Sequence, residues 1–235
     1  MLLFYAPDIT SSVYALSSEE SRHCVKSMRL KKGDKIYLTD GRGNRHQAVI
    51  VDNHIQKCLV EINQTVKIEN EFSYHIHMAV APTKNTDRYE WFVEKATEIG
   101  ISEITPLLCN NSEKTRINTS RIERIQIAAM KQSLRYVLPT LNPESSYINL
   151  IENAKETQKF IAYCGNTPQS TPLLQHVCKK NTDTLILIGP EGDFTPEEVT
   201  TAIQQGFTPI SLGKSRLRTE TAAVVACHTL HVVNQ

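Results

Sequence analysis

Thr184-Leu185-Ile186-Leu187-Ile188-Gly189-Pro190-Glu191-Gly192-Asp193-Phe194-Thr195-Pro196-Glu197-Glu198 reads from left to right as strand, loop and helix start. Thr184 to Ile188 is an apolar strand. Thr195 is placed to cap a helix, Pro196 suits its first position, and a Glu completes a capping box. Between them lies a glycine-bearing loop at the carboxyl end of a strand, which is where open α/β sheets hold ligands. Glycine there lets backbone N–H and C=O groups approach a flat base closely. A plain strand-to-helix turn would choose Gly and Pro as well, and both readings stand at this point.

Working outward, the same alternation of strand and helix runs from about residue 72 to the end, the sign of a parallel α/β sheet. Ile76 to Ala81 is its first strand. Asp87, with Glu90 three residues on, offers an N-cap for a helix that presents Trp91, Phe92, Ala96 and Ile99 and stops at Gly100. Ile104 to Leu108, Phe160 to Cys164 and Ile210 to Leu212 are further strands. A helix opens at Ser120-x-x-Glu123 with Ile122, Ile125 and Ala129 inward. The helix after Thr195 turns Val199, Ala202 and Ile203 inward and ends at Gly206. Thr221 to Val233 is apolar nearly all round, so the last helix is expected to bury several sides, in its own domain, a partner subunit or both.

Residues 1 to about 70 are mostly β. The start, Met1 to Asp8, reads as a first strand and not as a signal peptide, since it has no basic segment and Pro7 and Asp8 end its apolar run. Asp34 to Thr39 and His46 to Val51 flank the turn Asp40-Gly41-Arg42-Gly43-Asn44, and Lys57 to Ile62 adds a strand. One helix, from about Ser18 to Met28, interrupts them. Several short strands around one helix suggest a small barrel, with polar Asn63 to Glu71 as a linker.

Composition narrows the function classes. Of the 235 residues 40% are hydrophobic and 22% charged, ordinary for a globular protein, and no apolar run approaches the roughly 20 residues of a membrane helix. The six cysteines form no C-x-x-C pair and have no His at ligand spacing, so neither structural zinc nor a disulfide framework is expected, and a reducing cytoplasmic setting fits. The net charge of +1 hides a local excess: between Arg22 and Arg45 stand eight cations against Asp34 and Asp40. A second basic cluster is Arg116, Arg121, Arg124, Lys131 and Arg135. Such patches suit a polyanion, and equally a solvated face.

A second loop, Leu212-Gly213-Lys214-Ser215-Arg216-Leu217-Arg218-Thr219-Glu220-Thr221, precedes the last helix. Gly213-Lys214-Ser215 is not a P-loop, because the glycine required five positions earlier is Thr208. No G-x-G-x-x-G occurs either. Arg218 and Glu220 are spaced to form a structural salt bridge, or to act as an anion binder and a proton acceptor.

Taken in order, these stretches resemble one family, the ribosomal RNA uracil-N3 methyltransferases of the RsmE type within the SPOUT superfamily. Met28-Arg29-Leu30, Gly33-Asp34 and Asp40-Gly41-Arg42-Gly43 are similar to its amino-terminal PUA-like RNA-binding barrel. Asp87-Arg88 and Glu94-Lys95-Ala96-Thr97-Glu98-Ile99-Gly100 are similar to its first catalytic-domain helix. Gly189-Pro190-Glu191-Gly192, Leu212-Gly213 and Leu217-Arg218-Thr219-Glu220-Thr221-Ala222 are similar to its cofactor loops. The likeness covers nearly the whole chain. Departures are Asn110-Asn111-Ser112 in place of an acidic-Arg-Ser stretch, Asp193 in place of a second glycine, and Lys131 in place of Glu before Gln132-Ser133.

The resemblance implies a barrel over residues 1–70 and a SPOUT methyltransferase domain over 71–235. That domain would be a parallel α/β sheet with a deep trefoil knot from about Leu185 to Val233. It implies S-adenosylmethionine as cofactor, no metal, and a homodimer with the site near the subunit interface. The substrate would be small-subunit ribosomal RNA within the assembled 30S subunit, with no role for DNA or membrane. Leu187, Ile188, Gly189, Pro190, Glu191, Gly192, Leu212, Gly213, Leu217, Arg218 and Thr219 would hold the cofactor. Arg22, Lys26, Arg29, Lys31, Lys32, Arg42, Arg116 and Arg135 would meet RNA. Uridine N3 carries a proton, so a general base is wanted. Glu220 is the first candidate and Glu191 the second, with Arg218 stabilising the resulting negative charge or gripping a phosphate. The rival readings are another SPOUT RNA methyltransferase, acting on a ribose 2′-OH or a transfer RNA base, and an inactive RNA-binding assembly factor.

Overall fold

The computed structural model describes residues 2–68, 73–165 and 171–235. Its backbone contacts divide the chain into two units, Met1–Glu71 with Met130–Leu138, and Phe72–Ala129 with Pro139–Gln235. The expected boundary at residues 70–71 falls outside the described residues.

In the first unit lie β1 (Leu3–Tyr5), β2 (Val13–Ala15), α1 (Ser18–Arg22) running on as a π-helical turn (His23–Ser27), β3 (Lys35–Thr39), β4 (Asn44–Asp52) and β5 (Leu59–Lys67). The strands adjoin in the order β1-β3-β4-β5-β2, with β1 parallel to β3 and the other pairs antiparallel. The hairpin turn forms because Asp40 accepts hydrogen bonds from the Arg42 N–H (2.8 Å) and the Asn44 side-chain amide (2.6 Å). One apolar core, including Phe4, Leu16, Ile36, Leu38, Ile50 and Val60, receives Cys24 from the helical segment.

Two features of this unit differ from the sequence reading. Asn63 to Lys67 is strand, not linker: β5 stays paired to β4 as far as the Asn44–Lys67 register. Asn63, Gln64 and Thr65 are all exposed there, so it is the backbone ladder to β4, and not burial, that keeps this half of the strand in place. Ile68 N–H still donates to the Gly43 carbonyl at 2.8 Å, and residues 69–71 of that linker lie outside the described residues. The second feature is the strap Met130–Leu138. Gly43 N–H donates to the Tyr136 carbonyl and Leu138 N–H to the Gly41 carbonyl, both at 2.8 Å, and Lys131 pairs with the buried Glu20.

The second unit contains β6 (Ile76–Val80), α2 (Thr86–Ile99), β7 (Glu103–Leu108), α3 (Thr119–Gln132, its last turn in the strap), β8 (Thr140–Leu141), β9 (Ser145–Ser146), α4 (Tyr147–Asn153), β10 (Gln158–Ala162), α5 (Leu174–Val177), β11 (Thr184–Ile188), α6 (Pro196–Gln204), β12 (Thr208–Ile210) and α7 (Thr219–Asn234). Its sheet is parallel, in the order β12-β10-β11-β6-β7-β8, with β9 also on β7. Strand β11 supplies Ile186 and Ile188 to a core shared with α2 and α7, and Leu185 and Leu187 to a second core shared with α4 and α6. That two-sided burial explains why its sequence shows an unbroken apolar run instead of alternation.

Caps decide where the helices begin. Thr195 and Glu198 form the expected capping box of α6, and Gly100 ends α2 in the left-handed region at φ +115°. The cap of α2, however, is Asn85, whose side chain accepts the Asp87 N–H at 3.0 Å, and not Asp87 itself. For α3 the side chain of Asn118 takes the Arg121 N–H at 3.1 Å. Ile203 is 48% exposed, because the narrow inner stripe of α6 is already filled by Val199 and Ala202. The last helix buries Ala223, Ala226, Cys227 and Leu230 along one stripe and leaves Val232 exposed.

Candidate active site

Because the strands run parallel, the loops after β6, β7, β10, β11 and β12 all leave the sheet at one end. The loop after β11 carries Gly189 to Asp193 and the loop after β12 carries Leu212 to Arg218, so the two stretches singled out in the sequence belong to one edge of one sheet. They are joined directly: the Thr219 hydroxyl, in the first turn of α7, donates to the Gly189 carbonyl at 3.1 Å in a buried contact. Leu187 and Ile188 are the buried end of β11 beneath them.

Neighbouring loops hold the 189–194 loop in place. From the β6 side the Lys84 N–H donates to Glu191 Oε1 at 3.0 Å. From the β7 side the Asn111 side-chain amide donates to the carbonyls of Gly192 (3.3 Å) and Asp193 (3.0 Å). The Asn110 N–H donates to Glu198 Oε1 at 2.9 Å, while the other oxygen of Glu198 takes the Thr195 N–H. From the β10 side the Cys164 N–H donates to Asp193 Oδ2 at 3.2 Å. Gly192 is needed for close approach, since a Cβ there would fall 3.1 Å from the Asn111 Cβ. Lys84 also pairs with Glu113 at 2.8 Å, which pushes its ammonium pKa up.

Glu220 is 7% exposed, in the first turn of α7. The structure does not pair it with Arg218: its Oε1 lies 3.8 Å from Nε of Arg88 on α2. Its Oε2 is buried and has no hydrogen-bond partner among the described residues. Arg218 is exposed and begins α7 through its backbone alone, with no side-chain cap. A buried carboxylate oxygen without a partner is costly in a folded protein, a condition that Glu220 shares with Oε2 of Glu20 in the first unit.

A nucleoside cofactor fits this edge. Gly213 sits at φ +135° with open space around it, Leu212 and Leu217 are half-buried beside it, and Glu191 and Gly192 are exposed. Backbone groups in loops held from three sides are what a flat base and a ribose need for recognition. Among the described residues no cluster of His, Cys, Asp or Glu has the arrangement of a metal site.

The basic residues divide between the units. Arg22, Lys26 and Arg29 follow one another at helical spacing from α1 into the turn after it, all exposed, with Lys31 and Lys32 exposed next to them. Arg42 is exposed on the hairpin turn with Nε 3.3 Å from Asp40, and Arg135 is half-buried in the strap. All of these are in the first unit. Arg116 is an exposed residue of the second. Arg121 is engaged by Glu90, Nη2 to Oε2 at 2.8 Å.

Sequence reasoning gave no role in the site to Arg88, Asn111 or Glu198. Arg88 lay inside a stretch that resembled the family, but nothing local announces a partner more than a hundred residues away. Glu198 read as a cap and also serves the β7 loop.

The chain matches the model of an RNA methyltransferase domain over residues 70–231 and that of an RNA methyltransferase PUA domain over residues 16–62. It is 32% identical to the ribosomal RNA small subunit methyltransferase E of Buchnera aphidicola, over 98% of this chain and 92% of that one. Among solved structures it resembles a probable rRNA-methyltransferase from Porphyromonas gingivalis, with TM-score 0.94, 39% identity, and 100% and 98% of the two chains covered. It also resembles a ribosomal RNA small subunit methyltransferase E from Neisseria gonorrhoeae bound to S-adenosyl methionine, with TM-score 0.86, 25% identity, and 100% and 98% covered.

Proposed function

The chain belongs to the RNA methyltransferase family, and from that membership we propose that it moves a methyl group from S-adenosylmethionine to N3 of a uridine in small-subunit ribosomal RNA. A PUA domain precedes a parallel α/β methyltransferase domain, and on the proposed reading that second domain is SPOUT-type and knotted. The observation that carries the reading is the junction of the 189–193 and 212–218 loops, tied by Thr219 to Gly189, with the unpartnered oxygen of Glu220 in the same first turn of α7.

When bound, the cofactor supplies a methyl group already activated on a sulfonium sulfur. The chain's own residues then have two tasks. Backbone groups of Gly189, Pro190, Glu191 and Gly192, with Leu212, Gly213 and Leu217, bind the adenosine and aim the methyl group, over a floor of Leu187 and Ile188. Positioning of this kind can supply a large part of the acceleration. The second task is removal of the N3 proton. Glu220 is the base of choice, because Oε2 has no partner among the described residues, whereas Glu191 Oε1 already accepts the Lys84 N–H. Arg218, exposed at the start of α7, stabilises the charge that spreads onto the uracil oxygens or grips the adjacent phosphate.

Arg22, Lys26, Arg29, Lys31, Lys32, Arg42, Arg116 and Arg135 bind phosphates and set register without reading sequence. The protein acts as a homodimer in the cytoplasm on the assembled 30S subunit. Exposed Val232 and half-buried Val225 on the apolar α7 support the dimer. No helix among the described residues is long and apolar enough to cross a membrane.

Methylation at N3 blocks the pairing edge of uracil, so reverse transcription maps it. In ribosomal RNA from cells lacking this protein, one stop in the small-subunit RNA should vanish and return when the gene is restored. An unchanged pattern of stops would refute the reading.

A further inference from the structure

We infer that Asn111 and Asp193 act as a clasp that shapes the 189–194 loop for the cofactor, which makes both of them positioning residues for S-adenosylmethionine binding. The inference rests on the proposed activity for the identity of the ligand, and on the structure for the clasp.

Asp193 is the meeting point of three loops. Its backbone is left-handed, at φ +62°, a conformation that non-glycine residues other than Asn and Asp seldom adopt. Its side chain holds that conformation by accepting the following Phe194 N–H at 2.9 Å with Oδ1. With Oδ2 it accepts the Cys164 N–H from the β10 side. Its carbonyl accepts Nδ2 of Asn111 from the β7 side, and the same Nδ2 reaches the Gly192 carbonyl. Strand β7 is not a neighbour of β11, because β6 lies between them. Asn111 therefore spans a strand to reach the loop.

These bonds have a chemical consequence. They engage the carbonyls of Gly192 and Asp193, so those oxygens turn toward Asn111 and fix the peptide planes of the loop before any ligand arrives. A loop whose planes are fixed in advance loses less conformational entropy on binding, and its contribution is to affinity and not to the chemical step. Asn111 is exposed and carries no charge, so its replacement tests the clasp without burying a group.

The test compares wild type with Asn111→Asp, Asn111→Ala, Asp193→Ala and Asp193→Asn, by calorimetric titration with S-adenosylmethionine and by steady-state methylation. Asn111→Asp keeps the shape but replaces the donor with an acceptor facing two carbonyls. Asn111→Asp, Asn111→Ala and Asp193→Ala are expected to raise Kd and KM for the cofactor by about tenfold or more, with kcat at saturation within about twofold. Asp193→Asn, which tolerates the left-handed region but has a single acceptor oxygen for the N–H groups of Phe194 and Cys164, should fall between wild type and Asp193→Ala. Unchanged Kd in both Asn111 variants, or a loss confined to kcat, would overturn the inference. The two claims fail separately: wild type that binds cofactor but methylates nothing sinks the proposed activity and leaves the clasp to be judged by Kd alone.

Discussion

Nε of Arg88, on α2, stands 3.8 Å from Oε1 of Glu220, at the start of α7, while the other oxygen of that carboxylate is buried without a partner among the described residues. One side of the carboxylate thus faces a cation, and in the proposed mechanism the other takes the uridine N3 proton. Glu220→Gln preserves shape and removes the ability to take a proton. Its kcat is expected to fall about 10²–10⁴-fold, with cofactor Kd within about threefold of wild type. Turnover unchanged across pH would remove Glu220 as the base.

Arg88→Met leaves the Glu220 carboxylate buried without its cation. The Arg88 side chain is 39% exposed, so the cost falls between that of a surface pair and that of a buried one. Urea denaturation should show a loss of about 1–2 kcal/mol. The double variant Arg88→Met with Glu220→Gln should recover most of it, since the buried charge is then gone.

Thr219→Val is close to isosteric and removes the donor to the Gly189 carbonyl. That carbonyl is left buried and unsatisfied, at a cost of about 1–3 kcal/mol. Cofactor affinity should fall with it, as the two loops lose their direct tie. Calorimetry and denaturation on the same preparation read both effects.

RNA affinity should fall steeply with salt if the exposed cations around α1 meet phosphates. Lys31→Ala with Lys32→Ala should lower the magnitude of the log Kd against log salt slope by roughly 1.4–1.8, about 0.7–0.9 for each phosphate no longer neutralised. A flat salt response of the wild type would contradict the assignment of that patch.

At the amino end of the second unit's sheet, His75 Nε2 lies 2.8 Å from Glu103 Oε2, and Asn142 donates to the other oxygen of Glu103. The hydrogen bond from His75 is the main cause holding the Glu103 pKa down at about 2, and the same bond raises that of His75. The Glu103 contribution to stability is complete above its ordinary value of 4.5 and is lost as pH falls toward 2. The His75 contribution is complete below 6.5 and fades as pH rises through its raised folded value. His75→Gln should therefore cost most near pH 5 to 6 and less above neutrality, read as the difference in unfolding midpoint across pH.

What the sequence made legible was whatever local chemistry dictates. The Thr195 cap with Glu198, the Gly100 stop and the Asp40 turn all appear where their side chains require them. Unbroken apolar β11 announced a parallel strand, and the order of the motifs announced the family. The remainder depends on contacts that no local pattern encodes. Asn63 to Lys67 looked like a linker because that half of β5 buries no side chain: Asn63, Gln64, Thr65 and Lys67 are exposed and Val66 is half-buried. The strap Met130–Leu138 joins the first unit through backbone bonds to Gly41 and Gly43 and the Lys131–Glu20 pair, contacts between residues far apart in sequence. Arg218 and Glu220 looked paired because they are near in sequence. Arg218 points its backbone into the helix start while Glu220 turns inward to Arg88, a partner that only the fold brings near. Asn111 and Asp193, which depart from the family pattern, proved to be bonded to each other.

The most direct measurement is nucleoside mass spectrometry of small ribosomal subunits lacking the modification, after incubation with the purified protein and S-adenosylmethionine carrying a labelled methyl group. The expected result is labelled N3-methyluridine in the small-subunit RNA, formed by wild type and strongly reduced with Glu220→Gln. Label in a ribose 2′-O-methyl group or another base, or no labelled nucleoside despite measured cofactor binding, would contradict it.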